Sequence, residues 1–327
     1  MKQLEYKNYI INLMETHNTN TSDNTDIDLR EFFKVLWQGR LIVVSVTTIC
    51  IIISIIYSLS LPNIYHSRAI LSPVGEAGGS GMNQVMRNMG GLANLAGINL
   101  PASDGGSKTL QAIEKLNTLS FFEDNILPNI FLPDLMALES WNAKTNDIIY
   151  DKDIFNEVTN TWTRDYDYPQ TQIPSAQESY DVFGDDHLQV FHDIDTGFVE
   201  ITVRHQSPFV AKAWTEIIVS QINYLFRSKS KLEAEAAIDY LNIEMAQTSF
   251  AEIKFVIAQL LQQKMQQLTL IEASDFYVFD YIDPPAAMEN KSEPSRAAIC
   301  MIGAIIGGLL GCLIVVVRFY STDQKLK

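Results

Sequence analysis

The sequence predicts an α+β fold held at both ends by membrane-spanning helices. Three observations predict it. Two runs without a charge, Leu41 to Leu61 and Ala297 to Val317, bracket the chain, and each is 21 residues long. Strand-like alternation appears between them. A glycine-free run of 67 residues, Ser207 to Ala273, then reads as a long helix.

The apolar runs come first in the argument. A helix needs about 20 apolar residues to cross a bilayer core, and it satisfies its own backbone hydrogen bonds in lipid. The chain therefore divides into residues 1–40, a first span at 41–61, a domain at 62–296, a second span at 297–317 and a tail at 318–327. The first run starts at residue 41 and exceeds the usual signal-peptide core, so it is expected to stay as an anchor. Basic residues flank the short ends: Arg30, Lys34 and Arg40 on one side, Arg318, Lys325 and Lys327 on the other. The positive-inside rule puts both termini in the cytoplasm and the long domain on the far side. Membrane lipid is the first partner expected.

Charge is unevenly placed. Residues 62–296 carry 16 basic and 32 acidic side chains, which is essentially all of the net −15 of the chain. Such a domain repels nucleic acid, so none is expected as a partner. The three cysteines, Cys50, Cys300 and Cys312, all lie in the apolar runs. The domain between them has no thiol for catalysis, for metal ligation or for a disulfide.

Along the chain, residues 8–26 are rich in Asn, Thr and Asp and are expected to lack order. Ile27 to Gln38 then reads as a short amphipathic helix that either lies at the membrane interface or extends the first span. Asn63 to Pro73 has strand composition. Glycines from Gly75 to Gly106 mark an irregular stretch. A helix is expected over Lys108 to Ile126, then short helices and loops over 127–185. His187 to Val203 holds two alternating runs around Asp195-Thr196-Gly197, which is hairpin chemistry. The long run must project or fold back, because 67 residues of unbroken helix would reach about 100 Å. Thr248-Ser249-Phe250 is its expected break, and Asp275 to Asp283 its closing strand.

Candidate functional residues fall into two groups. Asp283-Pro284-Pro285 ends the strand, since proline lacks an N–H, and Pro294 is expected in the first turn of the second span. Gly303, Gly307 and Gly311, with Gly308 beside them, stand at a spacing that lets two helices approach in lipid. That contact face is expected against the first span, a neighbouring copy or a partner protein. On the long helix, Leu232, Ile238, Leu241, Met245, Ile253, Val256 and Leu260 form an apolar set expected at an interface with other copies.

Other constellations carry less. Asp185, Asp186, His187, His192, Asp193 and Asp195 suggest a metal cluster, and Asp193-x-Asp195-x-Gly197 echoes a calcium loop. The loop's closing Glu is missing, so these residues read as turn and strand polars and no metal is expected. Gly106-Ser107-Lys108-Thr109 lacks the order of a phosphate loop. With no catalytic constellation in view, neither an enzyme nor a cofactor is expected.

The pieces together resemble the Wzz chain-length determinants, the polysaccharide co-polymerases of bacterial inner membranes. The resemblance is carried by IDLREFFKVLW before the first span, by YHSRAILSP from Tyr65 and by SPFVAKAWTEIIVSQIN from Ser207. Its most specific piece is FDYIDPPAAMENKSEPSRAAICMIGAIIGGLLG, Phe279 to Gly311. The likeness implies an inner-membrane protein whose domain is periplasmic, with an α/β base and a long projecting helix. It implies a homo-oligomer that acts without catalysis, beside a Wzy-type O-antigen polymerase and a growing lipid-linked glycan. A related export component working with an outer-membrane channel and a separate kinase is the alternative. With ten residues after Val317 and no kinase signature among them, a fused kinase is not expected.

Overall fold

The computed structural model describes residues 37–74, 105–274 and 276–323. The amphipathic helix expected before the first span, but for its last two residues, lies outside them, as does the glycine-rich stretch from Gly75 to Asp104. The chain divides into two compact units, Met1–Leu61 with Ser295–Lys327, and Pro62–Pro294.

The first unit is a pair of helices, α1 (Arg40–Ser60) and, at the far end of the chain, α7 (Arg296–Asp323). Both are long and apolar enough to cross a membrane, over Arg40–Ser60 and Arg296–Arg318. Thr47 and Thr48 inside α1 return their hydroxyls to the carbonyls of Val43 and Val44, both at 2.8 Å, so neither presents a bare donor to lipid.

The second unit is built on a four-stranded antiparallel sheet of order β6-β7-β1-β8. Its strands are β1 (Tyr65–Pro73), β6 (Leu188–His192), β7 (Val199–His205) and β8 (Phe279–Asp283). β1 is central. Ala69 stands opposite Ile201 and Leu71 opposite both Val199 and Tyr281. Period-two alternation buries Ser67, Ala69, Leu71 and Pro73 on one face. The β6–β7 hairpin is tied at its tip by Asp193, whose Oδ1 accepts from the amides of Asp195 and Thr196. Gly197 takes φ 73°, a left-handed conformation that suits glycine.

Helices cover the buried face. α2 (Gly105–Leu116) supplies Ala112 and Leu116 to the core. The expected helix to Ile126 is interrupted at Thr118, which is extended and whose hydroxyl accepts from Phe121 N. Short helical turns then carry Phe121, Phe122 and Ile126 into the core. α3 (Leu132–Met136) and α4 (Ala176–Val182) follow, the latter opened by a Ser175–Glu178 capping box.

Between α3 and α4 the expectation of short helices and loops is corrected. Two small ribbons stand there, β2 (Leu138–Asn142) with β3 (Asp147–Tyr150), and β4 (Phe155–Asn156) with β5 (Thr161–Trp162). Their turns depend on Asn146 and Asn160, which adopt φ of 59° and 52°. Asparagine tolerates that region better than most residues, which is why it marks both turns.

The long run is two helices, α5 (Pro208–Gln247) and α6 (Ala251–Ala273). Thr248 and Phe250 are extended, with ψ of 140° and 122°, and they end one helix and start the next. α6 returns antiparallel along α5: Glu272, at its end, lies 2.5 Å from Lys231, and Arg227 donates to the Glu272 carbonyl at 3.2 Å. The continuous helix reaching about 100 Å is therefore replaced by a 40-residue helix and a 23-residue return.

Candidate functional site

The seam between α1 and α7 is made by glycines. A Cβ on Gly303 would overlap the Ser54 side chain. On Gly307 it would stand 2.7 Å from Cys50 Cβ and 2.9 Å from Thr47 Cα, and on Gly311 2.9 Å from Val43 Cα. Each four-residue step up α7 meets a step of three to seven residues down α1, so the helices run antiparallel along one small-residue face. The contacts differ in kind. At Gly303 a serine rotamer can turn away, whereas at Gly307 and Gly311 backbone stands in the way. Gly308 is off this face, with nothing within 4 Å of its would-be Cβ. Gly39 completes the seam from the other helix, against Val315. It was missed in the sequence because it lies just before the apolar run.

The proline group sits elsewhere. Pro284 and Pro285 follow directly on β8; Pro285 is buried and Pro284 exposed. Pro294 comes before α7, which begins at Arg296, so it is not in the first turn of that helix. It continues from an isolated bridge in which Ile64 N donates to the Glu293 carbonyl at 3.0 Å. The chain thus closes on itself where it enters and leaves the second unit.

The apolar set on the long helix is split by the hairpin. Ile238, Leu241 and Met245 are half-buried and share a face of α5 with Ala234, which is buried. Ile257 and Ile271 are the buried positions of α6. Leu232 lies on the opposite face of α5 and is exposed, as are Tyr240 and Ile243. Ile253, Val256 and Leu260 are exposed on α6. At 100° per residue, Leu232 and Leu241 point half a turn apart, so one stripe could not contain both.

Where α5 crosses the sheet, two polar clusters sit in the apolar core. Asn223 is buried. Its Oδ1 accepts from the amides of Tyr277, Val278 and Phe279 at 3.0, 2.8 and 3.0 Å. Its Nδ2 donates to the carbonyls of Phe279 and Val219, both at 3.0 Å. This one amide locks the chain returning from the hairpin onto α5. It also explains why the expected closing strand starts at Phe279 and not at Asp275. The only sequence signal was a single Asn in the apolar run IIVSQINYLF.

The second cluster is His187, His205 and Trp214, with ring centroids 5.1–5.7 Å apart. Buried His205 accepts from Ser207 N through Nδ1 at 2.9 Å, so its proton lies on Nε2, 3.2 Å from the Asp134 carbonyl. Ser207 caps α5, and its hydroxyl accepts from Val210 N. Burial, with the neighbouring His187, holds the His205 pKa down at about 4. Burial also lowers that of His187, whose Nδ1 lies 2.6 Å from the Arg204 carbonyl. His187 and Asp193, both in the supposed metal cluster, are therefore engaged in holding backbone. Among the described residues no group of His, Cys, Asp or Glu is placed to hold a metal ion.

The fold and its seam define a class: an α+β domain whose chain begins and ends in paired membrane-length helices. The family model described as Wzz, chain length determinant protein, matches residues 25–119, which take in α1, β1 and α2. The likeness read from the residues is to that same family. No curated protein matches the chain. Among solved structures, a full-length bacterial polysaccharide co-polymerase is similar at 13% identity and TM-score 0.39, over 92% of this chain and 99% of that one. A fragment of WzzB, a polysaccharide co-polymerase from Salmonella Typhimurium, is similar at 14% identity and TM-score 0.32, over 71% and 100%.

Proposed function

We propose that this chain is a non-enzymatic regulator of the length of a surface polysaccharide, the O-antigen of lipopolysaccharide. It acts in the bacterial inner membrane as an oligomeric scaffold beside a separate Wzy-type polymerase and the lipid-linked glycan that polymerase extends. Both termini are cytoplasmic and the acidic α+β domain is periplasmic. The observation that carries this reading is the chain length determinant match over residues 25–119, in a chain with two membrane-length helices. The exposed apolar residues of the hairpin support the oligomer: Leu232, Tyr240 and Ile243 on α5 face away from α6, and water alone is a poor neighbour for them. The glycine seam supports a role in coupling, since Gly303, Gly307 and Gly311 set how closely the two spans approach.

A deletion strain tests the reading. Surface polysaccharide run on a gel with and without this gene should change from a clustered to an unclustered length distribution, with synthesis retained. Loss of all surface polysaccharide would favour an export role, and an unchanged ladder would refute both. Alkaline phosphatase fused at residue 150 should be active, and fused at residue 327 inactive. The opposite pattern would overturn the topology.

A further inference from the structure

One strand of each ribbon, β3 and β4, with the residues beside them, lines an open groove of about 780 Å³, outside the seam and the hairpin. That volume lies within the range of small-molecule sites. Its floor is aromatic. Tyr150 lines it, with Phe155 beside it at 5.6 Å between ring centroids. The Tyr150 hydroxyl donates to Asp134 Oδ1 at 2.6 Å, which fixes the ring. The rim is mixed: Asp147, Lys152, Asn156 and Glu157 line it, with Ile148 and the exposed Ile149 and Val158 between them.

The walls are organised without using that rim. Asn156 spends its Oδ1 on the amides of Val158 and Thr159, and its Nδ2 has no partner among the described residues. Trp141 Nε1 donates to Asn146 Oδ1 at 3.0 Å across the other turn. The Thr163 hydroxyl donates to the Lys152 carbonyl, and Arg164 makes a two-pronged bond to Glu178 that anchors the strand leaving the groove. The side chains of Asp147, Lys152 and Glu157 form no hydrogen bond or ion pair among the described residues. Thus a stiff aromatic floor is ringed by acceptors and donors with unused capacity.

We propose that this groove binds a short segment of neutral or amino-sugar glycan. A sugar ring offers what these walls lack. Its C–H face packs on an aromatic ring, and its hydroxyls both donate to carboxylates and accept from an ammonium or an amide. A protein surface would instead strand two carboxylates beside a single lysine, which is costly when water is excluded. The same imbalance of Asp147 and Glu157 against Lys152 disfavours uronic acids, as does the surplus of acid over the whole domain. The inference rests on the glycan role proposed above and assigns that role a place in the fold.

The test uses the full chain in nanodiscs, with saturation-transfer NMR and three probes: maltotriose, chitosan trimer and trigalacturonate. Glycan released from the source cells is a fourth. At least one neutral or amino-sugar probe, or the released glycan, should bind, and trigalacturonate should not. Glu157→Ala with Lys152→Ala should weaken binding at least tenfold while leaving the melting temperature unchanged, because neither side chain holds the fold. No binding by any probe, or binding indifferent to these variants, overturns the groove. If the deletion strain still changes its polysaccharide ladder in that case, the regulatory role stands without the groove. If a probe binds as expected but the ladder is unchanged by deletion, the groove stands and the regulatory role fails.

Discussion

The two halves of α5 are one helix with two environments. From Pro208 to Asn223 it buries Ala211, Trp214, Thr215, Ile218, Val219 and Ile222 against the sheet, and beyond Asn223 only Ala234 is buried. The first half finds all its neighbours within its own domain. The second half has α6 on one side and exposed Leu232, Tyr240 and Ile243 on the other. Neither half has a glycine or an interior proline, and the distal half has if anything the stronger helix formers, so helix propensity does not explain where the burial stops. What differs is how much apolar surface the fold brings to each. The base half is held by its own core, and the distal half leaves one apolar face exposed.

The sharpest way to break this comparison is at the joint. Asn223→Leu keeps the branched shape of the side chain but removes the acceptor for three backbone amides, at about 1–3 kcal/mol for each unsatisfied group. The domain should lose more than about 3 kcal/mol, seen as a large fall in the denaturant midpoint. A loss below about 1 kcal/mol would show that water replaces the side chain and that the joint is not a lock.

A change of pH reaches the base half through His205 and His187, and the distal half only through the Lys231–Glu272 pair, where Glu272 is held below its ordinary value. His205 is held at about 4, below its ordinary 6.5, so between these values the unfolded chain binds a proton that the folded one does not. Stability therefore rises with pH through this window and levels off above it. His187, also lowered, adds in the same direction, while Asp134, raised by burial, opposes it at the acid end. About 2–3 kcal/mol should be lost between pH 7 and pH 4. His205→Gln should flatten much of that slope in chemical denaturation; an equal slope in the variant would assign it to other groups.

In the distal half, Leu241→Asp should open the hairpin while leaving the base folded. An aspartate there loses its water on one side only, so about 1–3 kcal/mol of local stability is expected to go. Hydrogen exchange should quicken over α5 beyond Asn223 and over α6, with the sheet still protected. Cooperative loss of the sheet as well would mean that the two halves are energetically one.

The smallest effect on the fold is expected at Leu232→Asp, on the face turned from α6. An exposed substitution of this kind stays within about 0.5 kcal/mol in the monomer. Light scattering should nonetheless report a smaller assembly. An unchanged assembly would remove Leu232 from any interface and leave this face without a partner.

Much of this was legible in the residues. The two spans show as uninterrupted apolar runs, because lipid demands length and lack of charge and little else. The β6–β7 hairpin shows as alternation around Asp195-Thr196-Gly197, because period two and a glycine turn are local facts. The break at Thr248 to Phe250 shows for the same reason: β-branched and aromatic residues with a serine interrupt a strong helical run. Local chemistry and spacing determined these elements by themselves.

Tertiary structure decided what spacing leaves open. The glycine repeat marks a face of α7, but only the antiparallel pairing with α1 excludes Gly308 from it and brings in Gly39. The apolar residues of the long run read as one interface, and the return of α6 divides them, half-covering Leu241 and leaving Leu232 exposed. The ribbons around the groove were lost among mixed residues, because strands of two to five residues carry too little periodicity to read. Asn223 reads as one polar residue in an apolar helix until the chain comes back 54 residues later to offer its amides. In each case the deciding partner is far away in the sequence, and burial is a property of the pair.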